Sequence, residues 1–225
     1  MYEFLTGPML WVSFAVCFIG LAAKVVWYIR GLDWRLDRVT YTKNVKYGVR
    51  GALRSIGFWL LPFGTRNWRV KPMYTILFFG FHAGLVFVPL FLTGHAVILK
   101  ERFGIDWLTM PQGVADFLTV LVLITGLGII IRRIALPEVR IVTTAYDYLL
   151  LAISMAPFVT GFMAVQHIGD YQFWLTAHIL TGEILLLAIP FTKLSHIVMF
   201  FLSRAQIGMD FGIKRGGMKS KGLAW

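Results

Sequence analysis

The sequence predicts an all-α polytopic membrane protein with five transmembrane helices. Hydrophobic residues make up 58% of the chain and charged residues only 15%, whereas a typical soluble domain has about 45–50% and about 25%. The apolar residues are concentrated in five blocks of about 19 residues or more, enough to cross a hydrocarbon core of roughly 30 Å. The lysines and arginines lie almost entirely between the blocks. Lipid is therefore the predicted solvent of this chain.

The predicted helices span about residues 8–29, 73–99, 113–131, 145–165 and 173–202, within a single membrane domain of residues 1–225. The first block has no basic residue before it and is longer than the apolar core of a signal peptide, so we expect a retained helix. Pro89, Pro157 and Pro190 lie inside later blocks. Membrane helices tolerate proline because neighbouring groups satisfy the freed carbonyls.

The distribution of the net charge of +11 predicts the orientation of the chain. Eighteen of the 22 lysines and arginines fall in a loop at 30–72, a loop at 132–144 and a tail at 203–225, all on one side of a five-helix protein. The other side carries Lys100 and Arg102. The positive-inside rule then places the N-terminus outside and the C-terminus in the cytoplasm, with the chain in the inner membrane. This explains the basic composition without nucleic acid, which we do not expect as a partner.

The loop at 30–72 contains a segment, Val45 to Leu61, in which basic and apolar residues alternate at helical spacing. Two interpretations are open. Part of the segment lies in the membrane interface, as amphipathic basic helices do, or the segment belongs to a cytoplasmic loop. Such a loop is either simply basic or a defined surface that docks a partner protein.

Four of the five histidines, His82, His95, His178 and His196, lie inside apolar blocks. An ionisable residue within a membrane span is a functional candidate, although a single histidine often serves only as a hydrogen-bonding residue between helices. His178 and His196 are 18 residues apart, which on one straight helix is five turns, about 27 Å, and the same face. Two stacked haems, each held by two histidines, require such a spacing, and neutral imidazole suits iron.

The partner helix is less regular. His82 and His95 are 13 residues apart, which corresponds to about 20 Å of rise and a rotation of roughly 220°. On a straight helix they would point to nearly opposite faces, but Pro89 lies between them and can introduce a kink that corrects the phase. The predicted topology pairs His82 with His196 on the cytoplasmic side and His95 with His178 on the outer side.

Small and acidic residues accompany the histidines. Gly84, Gly94 and Gly182 would let a flat macrocycle approach the backbone, although small residues also serve ordinary helix packing. Glu183 and Asp116 are candidates for proton transfer at a quinone site. Burial favours the uncharged form of a carboxyl, so Glu183 is alternatively a neutral packing residue.

The remaining candidates have structural explanations. His167 is expected at the surface of an outer loop, and Asp147 is expected to pair with Arg140 or to cap a helix. Cys17 is the only cysteine and no CxxCH is present, so covalent haem attachment is not indicated. Any iron–sulfur centre must then belong to a partner subunit.

Three segments resemble the gamma chain of respiratory nitrate reductase, a five-helix dihaem cytochrome b. They read "FHAGLVFVPLFLTGHA", "PEVRIVTTAYD" and "HILTGEILLLAIPFTKLSH". The resemblance implies that His82, His95, His178 and His196 ligate two haem b groups. Two departures exist: the first histidine pair is more widely spaced than in the family, and "LTMPQGVADF" lacks the lysine of the family's quinol site. The cytochrome b subunits of sulfate-reducer complexes, including the one built around the high-molecular-weight cytochrome c, are similar.

The favoured function is electron transfer across the membrane between menaquinone or another quinone, or an outer cytochrome, and a cytoplasmic iron–sulfur subunit. Other membrane or outer-side cytochrome subunits and membrane lipid are the further expected partners. The alternative is a haem-free membrane anchor or transporter subunit with buried histidines. A third possibility keeps the haems but lacks a quinone site, so that the chain only conducts electrons between an outer cytochrome and a cytoplasmic partner.

Overall fold

A computed structural model describes residues 2–32 and 45–214, and these residues form helices and short connections without a strand. Around Pro8 the first helix contains a π-helical turn, Leu5–Met9. A 3₁₀ turn, Lys193–Ser195, precedes the last helix. The helices are α1 Tyr2–Gly31, α2 Val45–Leu60, α3 Arg66–Val70, α4 Pro72–Phe91, α5 Thr93–Phe103, α6 Gln112–Ala135, α7 Pro137–Arg140, α8 Ala145–Val165, α9 Tyr171–Phe191 and α10 His196–Lys214.

Five segments of the described chain are long and apolar enough to cross a membrane, which confirms the predicted number. They are α1, the consecutive helices α4 and α5 together, α6, α8 and α9. The direction in which they cross stays a prediction from the charge distribution.

The burial pattern is the reverse of that in a water-soluble protein. Large apolar side chains such as Phe18, Ile19 and Trp27 are 66%, 69% and 79% exposed. Hydroxyl side chains such as Thr119 and Ser154 are buried, and each donates to the backbone carbonyl four residues earlier in its own helix. A hydroxyl satisfied within its own helix is suited to lipid, where no water is available to pair with it.

Contacts divide the chain into two units. The first unit comprises residues 1–11 and 76–185. Its core joins α4, α6 and α8 through Phe81, Val88, Val122 and Phe158, which are at most 6% exposed. Aliphatic and methionine side chains from the same three helices surround this cluster.

Helices α4 and α6 approach closely at Gly80 and Gly84. A Cβ added at Gly84 would lie 2.3 Å from Cγ2 of Val122 and 2.6 Å from the carbonyl oxygen of Leu118. A Cβ at Gly80 would lie 3.0 Å from Cγ2 of Thr125. Glycines four residues apart let the backbones of two membrane helices approach, so Gly84 serves helix packing rather than a macrocycle.

The second unit comprises residues 12–75 and 186–225, of which the parts named above are described. Helix α2 packs against α10 through small residues. Gly51 and Ala52 are buried, and a Cβ at Gly208 would lie 2.5 Å from the carbonyl oxygen of Gly51. Tyr28, near the end of α1, donates through its hydroxyl to the side-chain oxygen of Gln206 in α10.

Several predicted boundaries differ from the structure. The expected helix at 173–202 is divided at Thr192, whose side chain accepts from the amide of Leu194 and so starts a new turn. Threonine at such a position competes with helix continuation. The loop at 30–72 contains α2 and α3, and the tail at 203–225 is helical to Lys214. The parts of that loop and tail at 33–44 and 215–225 lie outside the described residues.

We expect Gly84→Ala to lower the free energy of unfolding by about 1–3 kcal/mol, because the new methyl group meets both a backbone carbonyl and a packed side chain. Thermal unfolding in detergent measures the effect. Gly113→Ala is the matched control, because, apart from its chain neighbours and the nearby backbone of its own helix, no described atom lies within 4 Å of its added Cβ. Equal stability of the two variants would contradict the close approach of α4 and α6.

Candidate histidine site

The structure brings His95 and His178 together. His95 lies near the start of α5 and His178 in the first half of α9. Their ring planes are parallel to within 1° and their ring centres are 5.9 Å apart. Two imidazoles that ligate one metal ion from opposite sides, with metal–nitrogen bonds of about 2 Å, have ring centres roughly 6 Å apart. The separation therefore fits a pair of axial ligands.

The end of α4 orients His95. The last carbonyls of a helix lack partners within the helix, and here four consecutive ones are satisfied. Leu92 N donates to Val88 O, and His95 Nδ1 donates to Pro89 O over 3.0 Å. Trp107 Nε1 donates to Leu90 O, and Met110 N donates to Phe91 O. The His95 ring thus replaces a helical hydrogen bond and is fixed by it.

The break that allows this arrangement falls at Leu92, which is extended with ψ 132°. A kink at Pro89 is one way to reconcile the spacing of His82 and His95. The structure has an interruption between them, three residues after the proline, and places His82 in α4 and His95 in α5. The rotation calculated for one straight helix therefore does not apply.

Helix α8 orients His178. Nδ1 of His178 donates to the carbonyl oxygen of Pro157 over 2.8 Å. Gly161 lies one turn after Pro157, and a Cβ there would lie 2.8 Å from Nδ1 and 2.9 Å from Cε1 of His178. Only glycine leaves room for the ring at this position. Gly161 is not among the predicted site residues, although the sequence has a proline and a glycine four residues apart in an apolar span.

The other two membrane histidines show the same local arrangement. His82 Nδ1 lies 2.8 Å from the carbonyl oxygen of Phe78, and His196 Nδ1 lies 2.8 Å from that of Lys193. His82 belongs to the first unit and His196 to the second, so their pairing stays a prediction. Because α9 ends at Phe191, His178 and His196 do not share one straight helix as predicted.

A carbonyl oxygen can only accept, so Nδ1 of all four rings carries the proton. The lone pair then resides on Nε2. In histidines that ligate metals, the ring nitrogen that does not bind the metal usually donates to a carbonyl, carboxylate or water. This bond sets the tautomer and the direction of the ring. His95 and His178 could together hold haem iron, which needs only two protein ligands. Among the described residues no group of three or more histidine, cysteine or acidic side chains could hold a metal ion.

The predicted glycines separate into two kinds. Among the described residues nothing lies within 4 Å of a Cβ added at Gly94 or Gly182. Gly94 precedes His95, and Gly182 lies one turn after His178 on nearly the same face. The space at these two positions could accommodate a flat macrocycle beside the histidine pair. At Gly84 the neighbouring helix occupies that space.

Glu183 is 2% exposed, and it is the largest fully buried side chain in the described chain. Neither of its carboxyl oxygens has a hydrogen-bond partner among the described residues. A buried unsatisfied polar group costs about 1–3 kcal/mol. Unsatisfied buried groups of this kind are rare, and a catalytic role is one of their explanations.

The other polar candidates have partners at the helix ends. Asp116 accepts from the side-chain amides of Gln112 at 2.8 Å and Gln166 at 3.4 Å, which links α6 to the end of α8. Proton transfer by Asp116 stays a prediction. Asp147 forms a capping box with Thr144, as one of its two predicted roles required.

His167 is exposed and its ring lies 5.4 Å from that of Tyr171. Its φ is 51°, a left-handed conformation that helix ends often adopt. The position agrees with the surface role expected for this residue.

Fold and site together define a polytopic helical membrane protein with an oriented histidine pair inside its first unit. No family model matches the chain. The chain is 62% identical over 217 residues to a protein of Nitratidesulfovibrio vulgaris (strain Hildenborough), and the match covers 96% of each sequence. The chain belongs to the same family as this relative.

We expect Gly161→Ala to destabilise the protein by about 1–3 kcal/mol, because the methyl group displaces the His178 ring from Pro157. The measurement is thermal unfolding of protein prepared without haem. Gly182→Ala in the same preparation is the control and should be neutral or slightly stabilising, because alanine favours helix over glycine by about 1 kcal/mol. A neutral Gly161→Ala would show that the ring does not depend on this glycine.

Proposed function

We propose that the chain is the dihaem b-type membrane subunit of a respiratory redox complex and carries electrons across the inner membrane. One observation carries the proposal: the parallel rings of His95 and His178, 5.9 Å apart, each held through Nδ1 by a proline carbonyl. Isolated packing histidines do not require a matched pair with the same tautomer. The sequence resemblance to dihaem cytochrome b subunits supports the same function.

In this proposal His95 and His178 hold the outer haem, and His82 and His196 hold the inner one. When bound, haem b supplies reversible one-electron transfer. The histidines would supply the ligating Nε2 atoms, and the Nδ1–carbonyl hydrogen bonds would fix the direction of the rings and make Nε2 more basic. Gly94 and Gly182 leave space beside the outer pair.

We base the proposed orientation in the membrane and the proposed partners on charge and composition. The excess of lysine and arginine in three connected regions supports an outer N-terminus and a cytoplasmic C-terminus. Electrons would then pass between menaquinone or another quinone, or an outer cytochrome, and a cytoplasmic iron–sulfur subunit. Since the chain has one cysteine, the iron–sulfur centres would belong to that partner.

Glu183 supports a quinone reaction rather than electron conduction alone. Oxidation of a quinol releases two electrons and two protons, and a proton leaving in the membrane needs an acceptor. Glu183 is the only acid in α9, and both of its oxygens lack a described partner. We propose that Glu183 relays one of these protons: it gives up its own proton and takes the quinol's in its place. The other proton would go to solvent, and the two electrons would pass one at a time to the haems.

We expect the purified chain to contain two b haems, and His95→Ala and His178→Ala each to lose the outer one. A reduced-minus-oxidised spectrum with a haem count per polypeptide measures this. His82→Ala and His196→Ala should lose the inner haem. Gly182→Ala, harmless without haem, should lower the outer haem content because the methyl group fills space needed by the macrocycle.

His167→Ala is the control for these variants and should retain both haems. A well-folded preparation without haem would refute the electron-transfer function and leave a membrane anchor or transporter subunit. Loss of haem in His167→Ala would show that the ligands have been assigned incorrectly.

We expect Glu183→Gln to slow quinol oxidation by about 10²–10⁴-fold, the usual contribution of a proton-transferring side chain, with both haems retained. Haem reduction by a menaquinol analogue in stopped flow measures the rate. Glu138→Gln, which changes an exposed acid in α7, is the matched control. Unchanged kinetics in Glu183→Gln would mean that the acid has only a structural role. No quinol oxidation by the wild-type chain would leave electron conduction between two protein partners.

A further inference from the structure

Helix α2 has three different faces. Its small residues, Gly48, Gly51 and Ser55 among them, are buried, and the helix packs against α10 there. At about 100° per residue, Val45, Val49 and Leu53 form a second face. They are 52%, 46% and 67% exposed.

The third face is basic. Lys46, Arg50 and Arg54 recur at intervals of four residues, next to the exposed apolar face. Lys46 and Arg50 are exposed, and within the described part of the chain neither forms a salt bridge. From Val45 to Thr75 the sequence contains six lysines and arginines and no acid. This surface carries a positive charge that the neighbouring sequence does not neutralise.

The second unit also places α2 at a membrane surface. Its partner α10 is bonded to Tyr28, three residues before the end of the membrane span α1. At the other end of α2, Trp59 lies 5.5 Å from Trp68. The carbonyl of Trp68 accepts from Thr75 in the first turn of the span α4. The helix therefore lies at the level where two spans leave the bilayer.

We propose that α2 is an interfacial helix that binds anionic phospholipid of the surrounding bilayer through Lys46 and Arg50. A helix with adjacent apolar and basic faces lies in the plane of the interface, with the apolar face at the acyl boundary and the basic face among the headgroups. Trp59 and Trp68 are of the residue type enriched at that depth. An acidic soluble partner would account for the charge and could also cover the exposed valine and leucine, but it would not explain why α2 is tied to the ends of two membrane spans.

The first test is lipid binding by the full chain in detergent, with phosphatidylglycerol and phosphatidylcholine compared by native mass spectrometry. We expect tighter binding of phosphatidylglycerol, and each basic residue near the lipid contributes about a fivefold factor. The double variant K46Q/R50Q should then bind it about 25-fold more weakly. The matched control K100Q/R102Q removes two exposed charges from α5 and should bind like the wild type.

A second test does not depend on the charge variants. In a Cys17→Ser background, nitroxide labels at Leu53→Cys and Arg50→Cys are compared in bilayers that contain phosphatidylglycerol. We expect oxygen to relax the label at position 53 more than a water-soluble nickel complex does, and the reverse at position 50. A label at 53 that is accessible to the nickel complex would refute the proposal and favour a soluble acidic partner. So would equal phosphatidylglycerol binding by K46Q/R50Q and the wild type.

Discussion

Inside lipid a carbonyl released at a helix end must find a donor within the protein, and much of this structure depends on that constraint. Helix α4 ends at Phe91 within an apolar span, and its last four carbonyls each receive a hydrogen bond. One donor is the imidazole of His95. The requirement that ends the helix safely also fixes the tautomer and direction of a candidate haem ligand.

The opposite histidine is held by the same kind of acceptor but by different packing. His178 reaches the carbonyl of Pro157 on another helix, and it does so because Gly161 has no side chain. Proline and glycine have separate roles here. Pro157 lacks the amide that would bond the carbonyl of Ile153, whereas Gly161 lets the ring approach the backbone at Pro157. Glu183 differs from the two histidines, because its buried carboxyl has no hydrogen-bond partner in the described chain.

The second unit is built on close helix contact as well. Gly51 and Gly208 allow α2 and α10 to touch, and aromatic side chains join α2 to neighbouring elements: Arg204 of α10 lies 4.7 Å from the ring of Trp59. The small face used for packing leaves the apolar and basic faces outward. One short helix thus combines a structural contact with a surface suited to lipid.

Composition and hydropathy alone determined the all-helical class and the five spans. The length of an apolar segment can be read directly from the sequence and compared with the thickness of the bilayer. The sequence also predicted four histidines in apolar spans and the proximity of His95 to His178, whose rings lie 5.9 Å apart. Only the tertiary structure decided where the spans break, at Leu92 and Thr192. It also decided the direction of the histidine rings and which glycines have a neighbouring helix in the space of their missing side chain. Both depend on donors, acceptors and side chains from distant parts of the chain.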